Sequence, residues 1–541
     1  MKNFMKMISR LLQLASPFKL QMIAAISLGI LGYLSAISVS IIAVYSLSEL
    51  LTGSMHFMLL GLMIFLGIFR GVLRYGEQYA NHYIAFSILA HIRHIVFAKM
   101  RELSPAKLQD TNKGDIISTI TADIETLEVF FAHTISPVSI AVIVNGILTV
   151  LMFSIKPAFG ITALCFYLLV GGVLPYVYYN RVKQSGKEYR QGMSVFTVLM
   201  YDILEGMFDI VSTNRTSMIH DTVFRKSEAL QAKNRNTIIK SAASKSTVDS
   251  VILIAGLCIL ILGFYHSTMI ETMIAFVIMI SSFGPVVALA QLPFNLQMTF
   301  ASAERLFKIL DEEKLVEEMQ DASNFDFESI ELNNVSFSYD GNIEVLKNVS
   351  MNIRKNEIIG IKGGSGNGKS TILKLLLRMY DAEGVSYNGK DIKDYKISSI
   401  YDNVALFSQS TYVFHKSIRD NLKIANPEAN DENLWEALRK ASAYEFVSSL
   451  PNGLDTILDN ENEVTSLGEK QRLGLARIFL SKAKVILLDE PTSNIDAVNE
   501  AVILKSLKQS RNDYTMIIVS HKDTTLSIAD KVYTLKDGVL V

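Results

Sequence analysis

A glycine-rich run in the C-terminal half of the sequence has the spacing of a phosphate-binding loop. Residues 363–370 read GGSGNGKS, which fits the pattern G-x-x-x-x-G-K-[ST]. The apolar segment EIIGIK precedes the run and STILKLLLRMY follows it, so a strand, a tight loop and a helix are predicted in that order. Backbone N–H groups of such a loop surround nucleotide phosphates, and the helix N-terminus favours their negative charge. The predicted ligands are Gly363, Gly364, Ser365, Gly366, Asn367, Gly368, Lys369, Ser370 and Thr371.

Two adjacent carboxylates follow a second apolar run. In VILLDEP, four apolar residues lead into Asp489 and Glu490, which indicates a buried strand that ends beside the phosphate-binding loop. Phosphoryl transfer needs neutralised charge and an aligned water molecule. We therefore assign Mg²⁺ binding to Asp489 and the Ser370 hydroxyl, and activation of the water to Glu490. Lys369 is expected to contact the β- and γ-phosphates.

The first 310 residues have the pattern of a membrane domain. The 541-residue chain is 50% hydrophobic, and its mean hydropathy is +0.28. A helix needs about 20 largely apolar residues to cross a bilayer. Six segments meet this requirement, near 22–50, 57–82, 130–155, 157–180, 247–268 and 272–293. The long intervals between them, 84–128 and 181–245, carry many Lys and Arg residues, which predicts that these intervals and both termini are cytoplasmic.

From Ser329 onward, short β-branched runs alternate with helical segments, which is typical of an α/β nucleotide-binding domain. The predicted fold is thus an all-α, six-helix transmembrane domain at 1–310, a linker at 311–327, and an α/β P-loop NTPase domain at 328–541. The net charge of -1 excludes the basic class of nucleic-acid binders. Cys165 and Cys258 both lie in apolar runs, which leaves no disulfide framework and no cysteine metal cluster.

Over residues 325–541, the order of these motifs resembles the ATPase domain of ABC transporters, which use ATP and Mg²⁺. The resemblance implies that Tyr339 in VSFSYD stacks on adenine. It also implies that Gln409 in LFSQS joins the Mg²⁺ site to the membrane domain, and that His521 in IVSHKD contacts the γ-phosphate. Each residue alone would be interpreted as a packing or structural residue. Their order and spacing relative to the phosphate-binding loop support the functional roles.

One motif departs from the family pattern. The signature L-S-G-G-Q is replaced by Thr465 followed by Ser466, Leu467, Gly468 and Glu469. In the family, this segment closes over ATP held by the other subunit, with backbone N–H groups facing the γ-phosphate. Leu467 adds a side chain where the backbone normally approaches closely. The departure favours a heterodimer with one weaker ATP site, and the alternative is a homodimer that tolerates the change.

Six helices followed by one ATPase domain resemble a half-exporter, in which two subunits form one transport pathway. Arg70, Arg74 and Glu77 lie on one face of the second membrane segment. Ionisable groups at that depth are costly and normally face a cavity or the bundle interior. Two roles stay open: contact with an anionic or zwitterionic solute, and a structural Arg–Glu pair.

Residues 70–137 resemble the CydC subunits of CydDC exporters, which transport thiol reductants. The family pattern R-Y-x-E-R, followed after three residues by His, is met by Arg74, Tyr75, Glu77 and His82, whereas Gln78 replaces the last Arg. The resemblance implies export of cysteine or glutathione with a CydD-like partner. It also implies a haem site with His82 as the candidate ligand. The alternative is that His82 only packs between helices.

Three functions from different classes are compatible with these motifs. The first is a thiol exporter, the second an exporter of lipids, drugs or peptides, and the third a regulatory subunit that binds ATP without transport. The complete hydrolytic set, Lys369, Asp489, Glu490 and His521, argues against the third.

Overall fold

The computed structural model of the chain describes residues 2–51, 56–109, 113–319, 321–458 and 465–541. The chain forms two compact units. The first comprises Met1–Glu102 and Thr111–Glu312, and the second comprises Leu103–Asp110 and Glu313–Val541.

Up to residue 310 the described chain is helical. The helices are α1 (Lys2–Ala15), α2 (Lys19–Leu51), α3 (Phe57–Leu103), α4 (Ala106–Gln109), α5 (Lys113–Ser118), α6 (Ile124–Thr126), α7 (Glu128–Phe130), α8 (Ser136–Ile155), α9 (Pro157–Leu168), α10 (Leu174–Glu205), α11 (Met207–Ser212), α12 (Thr216–His266), α13 (Met269–Ser281) and α14 (Gly284–Leu310). Wider π-helical turns lie at Thr119–Asp123, Phe131–Ile135 and Leu169–Val173.

In the described part of the chain, six helical stretches are long and apolar enough to cross a membrane, which confirms the predicted number. They are Met5–Leu51, Phe57–Leu103, Gly114–Ile155, Pro157–Tyr178, Thr216–His266 and Met269–Val287. Helix α3 has 47 residues and is about 70 Å long at 1.5 Å per residue, well beyond the thickness of a bilayer. Short helices α4 and α11 follow the long helices α3 and α10.

The second unit contains two sheets. Its strands are β1 (Ser329–Phe337), β2 (Leu346–Arg354), β3 (Ile358–Lys362), β4 (Val385–Tyr387), β5 (Lys390–Asp391), β6 (Val404–Phe407), β7 (Val485–Asp489), β8 (Thr515–Ser520), β9 (Lys531–Lys536) and β10 (Val539–Leu540). Its helices are α15 (Lys369–Leu376), α16 (Ile397–Asn403), α17 (Ile418–Lys423), α18 (Asp431–Lys440), α19 (Tyr444–Ser449), α20 (Leu467–Leu480), α21 (Ala497–Gln509) and α22 (Asp523–Leu526). A six-stranded sheet has the order β10-β9-β3-β8-β7-β6, and an antiparallel sheet has the order β2-β1-β4-β5.

Strands β3, β7 and β8 are parallel neighbours, and their apolar residues are buried. Such continuous burial is expected when helices cover both faces of a parallel sheet. The register pairs Lys362 with Ser520 and Asp489 with Val519. The carboxyl ends of the three strands therefore meet at one edge, where ligands bind in open α/β sheets. The α/β prediction for this part of the chain is confirmed.

Candidate functional site

The loop after β3 needs glycine at defined positions. Gly366 and Gly368 have φ angles of +83° and +94°, which residues with a side chain rarely adopt. A Cβ atom on Gly363 would lie 2.6 Å from the carbonyl oxygen of Leu535, and one on Gly368 would lie 2.9 Å from Leu346 Cδ2. Asn367 Nδ2 donates to the same Leu535 carbonyl at 3.0 Å. The loop is thereby held as a close-fitting turn at the strand end.

The first turn of α15 carries the predicted cationic and hydroxyl groups. Lys369 is 8% exposed, and its Nζ donates to the Gly364 carbonyl at 2.9 Å, so the ammonium group lies back over the loop. The Ser370 hydroxyl favours the charged form of the Asp489 carboxylate. Burial raises the pKa of Asp489; the Ser370 hydroxyl opposes this and the charge of Glu490 adds to it. A hydroxyl and a carboxylate oxygen at the same sheet edge are suitable ligands for Mg²⁺.

Glu490 is turned toward a histidine from the neighbouring strand. Its φ is +49°, an uncommon value for a residue with a side chain, and its N–H donates to the Val519 carbonyl at 2.9 Å. Its carboxylate lies 2.8 Å from His521 Nδ1 and accepts from the Ser520 hydroxyl at 3.2 Å. Glu490 is 8% exposed, whereas the His521 side chain is 60% exposed. The fold thus joins a buried carboxylate to an open imidazole beside the loop.

The other residues implied by the family resemblance surround this centre. The Tyr339 hydroxyl lies 3.0 Å from Thr371 Oγ1, and the half-exposed ring packs edge-on against Phe337 and Tyr380. Gln409 follows β6 by two residues with an exposed side chain. Its carbonyl accepts from Gln471 Nε2 at 3.2 Å, which ties the Gln409 loop to helix α20.

Helix α20 begins within the altered signature. Ser466 is its N-cap and forms a capping box with Glu469, whose carboxylate accepts from the Ser466 N–H at 2.6 Å. A Cβ atom on Gly468 would lie 2.9 Å from the Asn494 carbonyl, so glycine is required there. Leu467 is 56% exposed. The additional side chain therefore projects from the helix N-terminus into open space.

Sequence reasoning assigned no role to Gln471, which is fully buried. Besides the Gln409 carbonyl, its Nε2 lies 3.2 Å from the Ser493 hydroxyl, so one side chain contacts the loops after β6 and β7. In the sequence, only its position two residues after Glu469 could have drawn attention to Gln471. That position does not specify its hydrogen-bond partners.

In the first unit, the structure pairs two of the three charged residues on α3. Arg74 Nη1 lies 2.5 Å from Glu77 Oε2, and Glu77 is 3% exposed. Asn81 Nδ2 lies 3.5 Å from the other carboxylate oxygen. Arg74 and Glu77 therefore form an ion pair, and their role, structural or solute-binding, stays a prediction. Arg70 is exposed, and in the described part of the chain no hydrogen bond or ion pair is assigned to it.

His82 lies one turn further along α3, among other side chains. Its Nδ1 is 3.3 Å from Glu128 Oε1, and its ring stacks on Phe86 and lies edge-on to His133. These contacts hold the imidazole between α3 and the α7 region. Both roles considered for His82, packing between helices and haem ligation, stay predictions.

Comparisons with known proteins agree with this architecture. Residues 346–493 match the family model described as ABC transporter, and residues 22–287 match the model described as ABC transporter transmembrane region. A "Probable ABC transporter ATP-binding/permease protein" of Haemophilus influenzae is 37% identical, covering 99% of each chain. The "Putative multidrug export ATP-binding/permease protein YgaD" of Bacillus subtilis is 26% identical, covering 99% of this chain and 96% of its own.

The same architecture occurs in a solved structure. A bacterial Atm1-family ABC exporter with ATP bound superposes with a TM-score of 0.81, covering 97% of this chain and 94% of that chain at 18% identity. This likeness establishes a shared fold. The narrower resemblance to CydC subunits stays a prediction.

Proposed function

The chain belongs to the ABC transporter family, and from that premise we propose that it exports thiol reductants, cysteine and glutathione, as half of a heterodimer with a CydD-like subunit. It is a multi-pass membrane protein whose ATPase is coupled to transport. The observation that carries the substrate proposal is the charge on α3, where an exposed Arg70 lies one turn before the Arg74–Glu77 pair. An exposed guanidinium group in a membrane-crossing helix suits the carboxylate of a zwitterionic or anionic solute.

The proposed ATP cycle uses the groups at the sheet edge. Lys369 would bind the β- and γ-phosphates, and Ser370, Asp489 and Gln409 would hold Mg²⁺, which would neutralise phosphate charge. Glu490 orients the attacking water and takes its proton, while His521 fixes the Glu490 carboxylate and reaches the γ-phosphate. ATP binds best to the closed dimer and therefore drives closure, and hydrolysis reopens it. We place the chain in the cytoplasmic membrane of a bacterial cell, with the ATPase domain and both termini in the cytoplasm.

The altered signature supports a heterodimer. The exposed Leu467 side chain stands at the N-terminus of α20, where the partner's ATP would have to approach the backbone closely. The loop that binds this chain's own ATP retains every residue of its motif. Such asymmetry is best accommodated when the two subunits differ, because each composite ATP site can then have its own affinity for ATP.

A second candidate, export of apolar or aromatic drugs, is favoured by a different feature of α3. Tyr75, Tyr79 and Tyr83 form a stacked ladder with ring centroids 6.3 and 6.4 Å apart, and each residue is more than half exposed. Aromatic faces of this kind bind apolar and cationic compounds. The Bacillus relative is named as a multidrug exporter, in agreement with this alternative.

We expect ATP-dependent uptake of labelled glutathione and cysteine by inside-out vesicles that contain this chain and the subunit encoded beside it, and none with this chain alone. Arg70→Gln should lower that uptake about tenfold or more, because a charged hydrogen bond to a carboxylate is worth roughly 1.5–3 kcal/mol. The matched control is Arg93→Gln on the same helix, since Arg93 is paired with Glu125 at 3.5 Å.

The same vesicles separate the rival functions. Thiol uptake that is unchanged by Arg70→Gln would show that the charge of Arg70 does not bind the solute. Robust ATPase without thiol uptake, combined with uptake of aromatic drugs that Tyr79→Leu abolishes, would assign the drug-exporter function. ATP binding without transport of either class would assign the regulatory function.

A separate measurement addresses haem. Glu128 contacts His82 Nδ1 and Phe86 stacks on the imidazole ring, so we propose that His82 has a packing role. We therefore expect no Soret absorbance from the purified protein. A Soret band in the wild type that His82→Ala lacks would instead assign His82 as a haem ligand.

A further inference from the structure

A buried carboxylate outside every motif accepts hydrogen bonds from two separate segments of the chain. Glu500 lies in the first turn of α21 and is 9% exposed. The hydroxyls of Thr492 and Thr524 lie 3.0 Å from its Oε1, and the Thr525 hydroxyl lies 3.1 Å away. Lys522 Nζ lies 3.6 Å from Oε2. Four side chains therefore converge on one carboxylate.

The groups around Glu500 come from the two chain segments that carry the hydrolytic residues. Thr492 is two residues after Glu490, and the segment from Lys522 to Thr525 begins directly after His521. The two segments also touch directly, because the Thr492 and Thr525 hydroxyls lie 2.8 Å apart and Lys522 Nζ donates to the Thr492 carbonyl at 2.8 Å. Glu500 thus closes a bridge behind the contact between Glu490 and His521.

This bridge is polar but well satisfied. Burial alone raises the pKa of Glu500, but the hydroxyls of Thr524 and Thr492 and the charge of Lys522 outweigh it, so the pKa lies below its ordinary value and the group is ionised at neutral pH. Ionised acceptors form shorter and stronger hydrogen bonds than neutral ones. Fully satisfied buried networks of this kind hold one geometry and tolerate little displacement.

We propose that Glu500 is a positioning residue for ATP hydrolysis, which clamps the loop after Glu490 to helix α22, which begins two residues after His521. The clamp holds the Glu490 carboxylate 2.8 Å from His521 Nδ1, and so sets where the attacking water stands relative to the γ-phosphate. The inference rests on the hydrolytic roles proposed for Glu490 and His521. A displacement of about 1 Å at a reacting centre can cost on the order of 100-fold in rate, so loosening the clamp should slow the chemical step.

The test uses Thr→Val variants of the full chain, purified from membranes with its partner subunit. Thr492→Val and Thr525→Val each delete a buried hydroxyl on one side of the clamp. The matched control is Thr515→Val, because Thr515 is also buried and accepts from the Asn356 N–H at 2.8 Å, but at the other end of β8. We expect kcat for ATP to fall about tenfold or more in both clamp variants, with KM unchanged, because the hydroxyls position the reacting groups and do not contact the nucleotide.

Glu500 itself supplies the rescue test. Glu500→Gln keeps an oxygen acceptor for the three hydroxyls but not the charge, so it should retain more of kcat than Glu500→Ala, provided that thermal unfolding shows that both variants are folded. Clamp variants whose kcat stays within twofold of the Thr515→Val control would overturn the proposal, and so would an effect confined to KM. Glu490→Gln tests the proposed chemistry separately: if it turns over normally, the assigned roles fail; if it is inactive while the clamp variants are normal, only the clamp fails.

Discussion

Glu490→Gln should bind ATP with near-normal affinity and hydrolyse it at least about 100-fold more slowly, because general-base catalysis typically contributes 10²- to 10⁴-fold. Glutamine has nearly the same shape and can still contact His521, but it cannot accept a proton from water. ATP would therefore close the dimer, and the reset that needs hydrolysis would be lost. The measurement is the steady-state ATPase rate, combined with crosslinking of the two ATPase domains in the presence of ATP.

The control for this substitution is Glu357→Gln, which changes a carboxylate whose partner is Lys531, at the opposite end of the sheet from the nucleotide. Its pKa is lowered although burial alone would raise it, since the Arg354 N–H and Lys531 favour the charged form. Loss of the charge should affect stability and leave kcat unchanged. Normal turnover by Glu490→Gln would refute the assignment of Glu490 as the base.

Lys369→Ala is expected to abolish nucleotide binding as well as transport. The buried ammonium is held over the loop by the Gly364 carbonyl, so it is already placed where the β- and γ-phosphates bind. Each charged hydrogen bond is worth roughly 1.5–3 kcal/mol, so loss of two contacts should weaken ATP binding about 100-fold or more. Titration with a fluorescent ATP analogue measures this loss directly.

Lys531→Ala is the matched control, because that lysine is half-exposed and its ion pair with Glu357 is remote from the loop. Exposed pairs are worth less than about 1 kcal/mol, so the control should bind ATP as the wild type does. ATP affinity of Lys369→Ala within threefold of the wild type would show that the loop binds phosphates without its lysine.

Much of the ATP site could be predicted because its parts are contiguous in sequence. The loop from Gly363 to Ser370 needs glycine for its backbone angles and a helix directly after it, and both requirements are visible as spacing. Asp489 and Glu490 were recognisable because a buried strand leads into them. Tyr339, Gln409 and His521 have no such local signature and were found only through the family resemblance.

The charged residues of α3 show where sequence spacing becomes insufficient. Arg70, Arg74 and Glu77 share one helix face, which is a property of helical periodicity alone. Which of them pair depends on rotamers and on neighbouring helices. Glu77 is buried against Gly29 of α2. A Cβ atom added to Gly29 would lie 3.2 Å from the Glu77 carboxyl carbon. Spacing left two roles open, and the structure shows that Arg74 and Glu77 form an ion pair.

The sequence by itself determined the number of membrane-crossing helices and the phosphate-binding loop, because hydrophobic length and glycine spacing act over consecutive residues. Only the tertiary structure decided that Glu490 meets His521, 31 residues away in sequence, and that Glu500 joins the two segments that follow them. The contact between Glu490 and His521 follows from the parallel pairing of β7 and β8, which places two strand ends side by side. Parallel strands are joined by crossover connections and pair with strands distant in sequence, so the residues within one strand do not specify its neighbour.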